Sequence, residues 1–310
     1  HLTTDQKVGS SSLPERATRL LTTTQFQQKV LSPRFSENSN WAVRVMTGSF
    51  SDLSLALMMA DAADAVTLMW WSTDGVASTT KSDGSPVTKA DVAAEHAVEK
   101  RVLELCPGDG FLGEEIGERK SSNGRRWIVD GIDGTRNFAG GLRDWGTLIA
   151  LEDHGVVVVG VVSSPAQNRR WWATRGGGAF TSSAGRSSTP ISVSTSQQLV
   201  IGRVVTLPAV ESLSPEKQET VLRLVGGYPS HRSWSHQLRV AEGEIDMCIW
   251  FCGDIWDHAA PSIIVEEAGG TFTDHAGGKR LDTRTGLYSN GSAHVDALAA
   301  LNTHKFGQEK

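Results

Sequence analysis

A layered α/β architecture is expected for this chain on three observations. Apolar runs of strand length alternate with segments of helical period. Those in the first half are joined by tight turn signals, as in antiparallel hairpins, and several end on carboxylates. The 310 residues suffice for a sizeable core, in one large domain or two closely packed ones.

Whole-chain chemistry narrows the function. A net charge of −5 argues against a broad basic face for nucleic acid, so a small anionic substrate would need metal ions or a local set of donors. The three cysteines, Cys106, Cys248 and Cys252, are too few and too odd for a disulfide framework and fit a reducing compartment. Cys248 and Cys252 lie in the apolar run I-D-M-C-I-W-F-C and read as buried core residues, not half of a zinc site. No stretch approaches about 18 to 20 uninterrupted apolar residues. A soluble, cytoplasmic protein with no membrane partner is expected.

Residues 1–48 are rich in Ser, Thr and Gln, poor in acids, and without sustained apolar period. They read as an upstream, disordered or non-native extension with the natural start near Met46, in preference to an organelle-targeting peptide. The first helix runs from Asp52 to Trp71, capped by Ser51 or Asp52, with Asp61 and Asp64 facing solvent. Asp83-Gly84-Ser85-Pro86 is a turn, Val87-Thr88 is extended, and Asp91 opens a helix to about Glu104 on the apolar row Ala94, Val98 and Val102. Thr88 and Asp91 alone form a helix-capping pair. Phe111 and Leu112 form a strand ending in Glu114 and Glu115, which alone would be a solvated pair of charges.

Trp127 to Phe138, W-I-V-D-G-I-D-G-T-R-N-F, is the richest stretch. Its apolar run forms a strand ending at Asp130; Asp133 follows three residues later, and Gly134, Thr135 and Asn137 form a turn into a helix. Two carboxylates at a strand end are costly to bury together unless a cation neutralises them, and oxygen donors suit magnesium or calcium. The N–H groups of Gly134 and Thr135 could hold a phosphate. A metal-assisted phosphoryl site is the reading.

Strands follow at Trp145–Leu151, Val156–Val162 and Asn168–Thr174, with a turn at Asp153-His154-Gly155 and another at Arg175-Gly176-Gly177-Gly178. The three glycines lack phosphate-loop spacing. The Ser/Thr/Gly-rich residues Thr181–Ser196 form the seam between two halves, 49–190 and 191–310. A strand at Leu199–Leu207, a helix at Pro215–Val225, a helix at Gln237–Glu242 and a buried strand at Ile245–Phe251 come next. Asp257 begins a helix that Gly269-Gly270 stops; capping and function are both open to it. Closing strands are read at Thr271–Thr273 and Leu287–Ser289, and a last helix at Ala293–Leu301.

Taken together, G-E-E, W-I-V-D-x-I-D-G-T-x-N-F and W-D-x-A-A-x-x-I-x-x-E-A-G-G, with K-x-D-G-S-P-V-T-x-A-D upstream, resemble the inositol monophosphatase-like superfamily of magnesium-dependent phosphomonoesterases. The resemblance spans roughly residues 50 to 300, and four motifs agree in order and spacing. It implies an α-β-α-β-α sandwich of the sugar-phosphatase type, with an N-terminal α+β half and a C-terminal α/β half, usually as a homodimer. It assigns Glu114, Asp130, Asp133, Asp257 and the Ile132 carbonyl to two magnesium ions, with Asp91 reaching a third. Thr135, aided by Asp91, orients and deprotonates the attacking water. Glu114 takes part in the catalysis, and Gly134 and Thr135 bind phosphate. Lys81 lies on a mobile lid loop. Arg232, His236 and Asp257 face the substrate.

Within the superfamily, G-T-L-I-A-L, G-V-V-S-S-P-A and R-R-W-W-A-T-R-G-G-G-A-F look most like the bacterial histidinol-phosphate phosphatases, which implies L-histidinol phosphate as substrate. The alternatives are inositol phosphate or another sugar phosphate, and a metal-binding or regulatory relative weakened in turnover. Three departures bear on this. Trp250 stands where the inositol-contacting acid falls in inositol monophosphatases, which lowers that reading. Gly131 stands where the family nearly always has proline, so weaker or slower metal assembly is expected. Ser235-His236 replaces a frequent Gly-Asp, where a cationic aminoalcohol would prefer an acid.

Overall fold

The structure is a computed structural model that describes residues 50–183, 187–198, 203–225 and 234–302. The N-terminal extension lies outside them. Helix α1 (Asp52–Trp70) begins as read: Ser51 Oγ accepts the Ser54 N–H at 3.2 Å. Strands β1 (Ser78–Thr80) and β2 (Pro86–Thr88) pair as an antiparallel hairpin, and β2 leads into α2 (Lys89–Leu105).

Eight strands form the first sheet: β3 (Gly110–Gly113), β4 (Gly117–Arg119), β5 (Arg125–Asp133), β6 (Gly146–Asp153), β7 (Val156–Ser164), β8 (Arg169–Thr174), β9 (Gly178–Ser183) and β10 (Thr189–Ile191), in the order β10-β9-β8-β7-β6-β5-β3-β4. Only β3 and β5 pair parallel; the other neighbours are antiparallel, as the tight turns require. A short helix, α3 (Thr135–Ala139), follows β5. The second sheet has the order β11 (Val204–Leu207), β12 (Met247–Trp250), β14 (Gly286–Ser289), β13 (Thr271–Thr273). Helices α4 (Pro215–Val225), α5 (His236–Ala241), α6 (Ile255–Glu267) and α7 (His294–Asn302) complete the described elements. Residues 199–202, the start of the strand read at Leu199–Leu207, are outside the described residues.

Strand alternation sets the layers. On one face of the large sheet, Trp127, Val129, Ile149, Leu151, Val159 and Val161 pack against Leu55, Met59 and Ala63 of α1 and Ala94, Val98 and Val102 of α2. Residues between them in sequence, Ile128, Leu148, Ala150 and Val162, face Leu238 and Val240 of α5 and Ala260, Ile263 and Ile264 of α6. Val205, Cys248 and Tyr288 of the small sheet cover the same helices from the other side. Its opposite face, with Val204, Met247, Ile249 and Leu287, meets Val221 of α4 and Ala297 of α7. The result is the five-layer α-β-α-β-α sandwich.

Three local expectations are corrected, on Asp64, Cys252 and the end of β5. Asp64 does not face solvent as Asp61 does; Arg170 Nη2 (2.6 Å) and Ser163 Oγ (2.7 Å) on the sheet both donate to its carboxylate. Cys248 is buried, but Cys252 is exposed, because β12 ends at Trp250 and the chain turns outward. By length and composition alone α1 is apolar enough to cross a membrane, although Asp61 and Asp64 interrupt its apolar run; in this fold its apolar row packs on α2 and the sheet. Finally, β5 does not end at Asp130 but continues to Asp133 through a bulge.

Candidate active site

That bulge organises the site. Asp130 pairs with Leu148 and Asp133 with Gly146, so three steps along β5 match two along β6. In a regular strand, residues three apart point to opposite faces; one extra residue restores the phase and turns both carboxylates to the same side. Thr147 Oγ1 holds the bulged chain by donating to the Gly131 carbonyl at 2.8 Å. Asp130 Oδ1 accepts the Ile132 N–H at 2.9 Å.

Asp257 arrives from the first turn of α6, where its Oδ2 accepts the Asp254 N–H at 2.6 Å. Asp130, Asp133 and Asp257 each present a carboxylate oxygen within 4.8 Å of the others, and among the described residues they form the one such group of His, Cys, Asp or Glu. Burial, then the negative charge of neighbouring carboxylates, holds Asp130 and Asp133 well above the usual carboxylate range. Burial, with Glu114 and Asp254 nearby, lifts Asp257 to about 7. A divalent cation would reverse all three shifts. Hard oxygen donors converging in this way fit magnesium.

Glu114 follows β3 on a turn beside the trio. It is half-buried, its pKa raised by burial, and close enough to add to the charge felt by Asp130, Asp133 and Asp257. Its Oε1 accepts from Lys81 Nζ at 2.5 Å, and Lys81 also reaches Glu115 at 2.8 Å. Burial disfavours the lysine's charge, but the two carboxylates outweigh it and raise its pKa.

Asp91 is buried with a raised pKa, chiefly through desolvation. Its Oδ2 accepts the N–H (2.9 Å) and hydroxyl (2.5 Å) of Thr88, the reciprocal cap read in the sequence. Its Oδ1 lies 2.9 Å from Thr135 Oγ1, which is also 2.9 Å from the Ile132 carbonyl oxygen. Thr135 opens α3 after Gly134, whose left-handed φ of 84° turns the chain and whose N–H, near the Asp133 carboxylate, works against the rise in its pKa.

His236 is buried at the start of α5, and Trp250 is nearly so, its indole edge-on to His258. Arg232 lies outside the described residues. Trp234 went unremarked in the sequence; its N–H approaches Asp144 Oδ2 at 3.4 Å and its ring covers Gly146, the partner of Asp133. Glu95, also unremarked, is buried beneath Glu114. Its spacing of four from Asp91 was the available signal.

Residues 49–305 match the inositol monophosphatase family. The chain belongs to the inositol monophosphatase family. A histidinol-phosphatase of Mycobacterium tuberculosis is 40% identical over 82% of this chain and 99% of its own length. One of Streptomyces coelicolor is 38% identical over 83% and 99%. The crystal structure of the extragenic suppressor protein suhB from Bartonella henselae superposes with a TM-score of 0.69 at 28% identity, covering 81% of this chain and 98% of that one. As a member of this family, the protein is a phosphoric monoester hydrolase.

Proposed function

We propose that this phosphatase is magnesium-dependent and hydrolyses L-histidinol phosphate in histidine biosynthesis, as a homodimer. The convergence of Asp130, Asp133 and Asp257 from two distant motifs carries the metal reading. The histidinol-phosphatases similar to this chain along nearly their whole length carry the substrate reading.

Asp130, Asp133, Asp257, Glu114 and the Ile132 carbonyl would hold two ions, and Asp91 would reach a third. When bound, magnesium supplies positive charge that offsets the carboxylates, polarises the phosphate and stabilises the leaving alkoxide. Thr135 Oγ1 orients the attacking water, and the proton passes toward Asp91 Oδ1, 2.9 Å away. Burial raises the affinity of Asp91 for that proton. The N–H groups of Gly134 and Thr135 bind phosphate. Lys81, on the β1–β2 turn, screens Glu114.

Trp250 offers no carboxylate to sugar hydroxyls, which disfavours inositol phosphate. The test is phosphate release from histidinol phosphate, inositol monophosphate and a sugar phosphate, with magnesium and with chelator. Histidinol phosphate should have the highest kcat/KM, and chelator should abolish it. Equal turnover of inositol monophosphate would remove the narrow substrate claim; no turnover of any monoester at millimolar magnesium would favour a binding or regulatory role.

A further inference from the structure

Glu95 is fully buried one helical turn after Asp91, on the same side of α2. Both its carboxylate oxygens face the main chain of the turn that carries Glu114. Oε1 and Oε2 accept the Glu115 N–H at 3.1 and 3.0 Å, and Oε2 accepts the Ile116 N–H at 3.0 Å. Two glycines make the space for it. A Cβ on Gly113, the residue before Glu114, would collide with Glu95 Oε2, and one on Gly131, the residue after Asp130, would stand 3.2 Å from Glu95 Cγ. The carboxylate therefore ties α2 to the β3–β4 turn and rests against the bulge of β5.

We propose that Glu95 is a positioning residue that fixes the direction of the Glu114 carboxylate toward the aspartate trio, acting through the Glu115 and Ile116 N–H groups. The inference rests on the reading of Glu114 as a cation ligand. A buried carboxylate that accepts from two main-chain N–H groups is a strong anchor once ionised, since hydrogen bonds to ionised groups are roughly twice as strong as neutral ones. Without it, those N–H groups lose their partner and the turn is free to re-aim Glu114. Outer partners of metal ligands act in this way, and their loss typically weakens metal binding about 10- to 100-fold.

The experiment is calorimetric titration of magnesium alone into the wild type, Glu95→Gln, Glu114→Gln and the double variant, with folding checked by near-UV circular dichroism. Glu95→Gln should weaken magnesium binding about 10- to 100-fold, with little further loss when added to Glu114→Gln, because the first acts through the second. Gly113→Ala, which presses a methyl on the same carboxylate, should weaken it in the same direction and serves if Glu95→Gln does not fold. Unchanged affinity in both Glu95→Gln and Gly113→Ala, or losses that add fully in the double variant, would overturn the proposal. Magnesium binding that Glu114→Gln leaves intact would instead overturn the ligand reading beneath it.

Discussion

A Cβ on Gly131 would stand 2.6 Å from the main-chain oxygen of Asp91. Glycine here is therefore more than a missing proline: α2 occupies the space a side chain would need, and the residue's φ lies outside the left-handed region, so contact and not conformation demands it.

Gly131→Ala and Gly131→Pro should both destabilise the protein. Reducing unfolded-chain freedom contributes about 0.4–1 kcal/mol in their favour. Overpacking against Asp91 and Glu95 costs about 1–3 kcal/mol, so it wins. Urea denaturation of the variants measures the sign; a gain in stability from proline would show that α2 can move aside.

Thr135→Val keeps the shape of the side chain but removes the hydroxyl that faces Asp91. The turnover number should fall about 10²- to 10⁴-fold with little change in KM. Thr135→Ser should retain most of the rate, because the oxygen is kept. Steady-state kinetics at saturating magnesium decides; a Val variant near wild-type rate would remove Thr135 from the mechanism.

The pH dependence of stability should invert with magnesium. Burial raises Glu95 and Asp257 to about 7, and holds Asp130 and Asp133 above the usual range as well. An acid with a raised folded pKa is protonated more readily in the folded state, so its contribution is full below its unfolded pKa and lost as pH rises through the folded value. In chelator, thermal stability should fall between about pH 5 and 7.5, by roughly 2–4 °C per kcal/mol lost. With millimolar magnesium it should hold or rise, since the ion binds the deprotonated carboxylates. Asp133→Asn should raise the melting temperature in chelator, shrink the magnesium effect and abolish turnover. Melting curves in both buffers, and the same decline with and without magnesium in particular, test this account.

Much of the fold was legible because its signals are local. The Ser51 cap of α1, the Thr88–Asp91 cap of α2, the hairpin turn at Asp153–Gly155 and the α4 bounds Pro215–Val225 rest on side chains within a few residues of the backbone they serve. Asp64 was misread because its partners, Ser163 and Arg170, lie about a hundred residues away and leave no periodic trace on α1.

The sequence by itself determined which residues carry oxygen donors, their order along the chain and the elements that present them. Only the tertiary structure decided where the individual oxygens go. Asp91 and Asp257 were each open to capping or function; in the folded chain one oxygen of each caps its own helix, while Asp91 Oδ1 turns to Thr135 and Asp257 joins the trio. The bulge that brings Asp130 and Asp133 to one side exists only against β6, since an extra residue is defined by the partner it skips. Glu95 reads as one more polar position on a helix until the turn after β3 folds over it. Capping and strand phase are short-range interactions, whereas a buried carboxylate's role depends on the groups that burial brings around it.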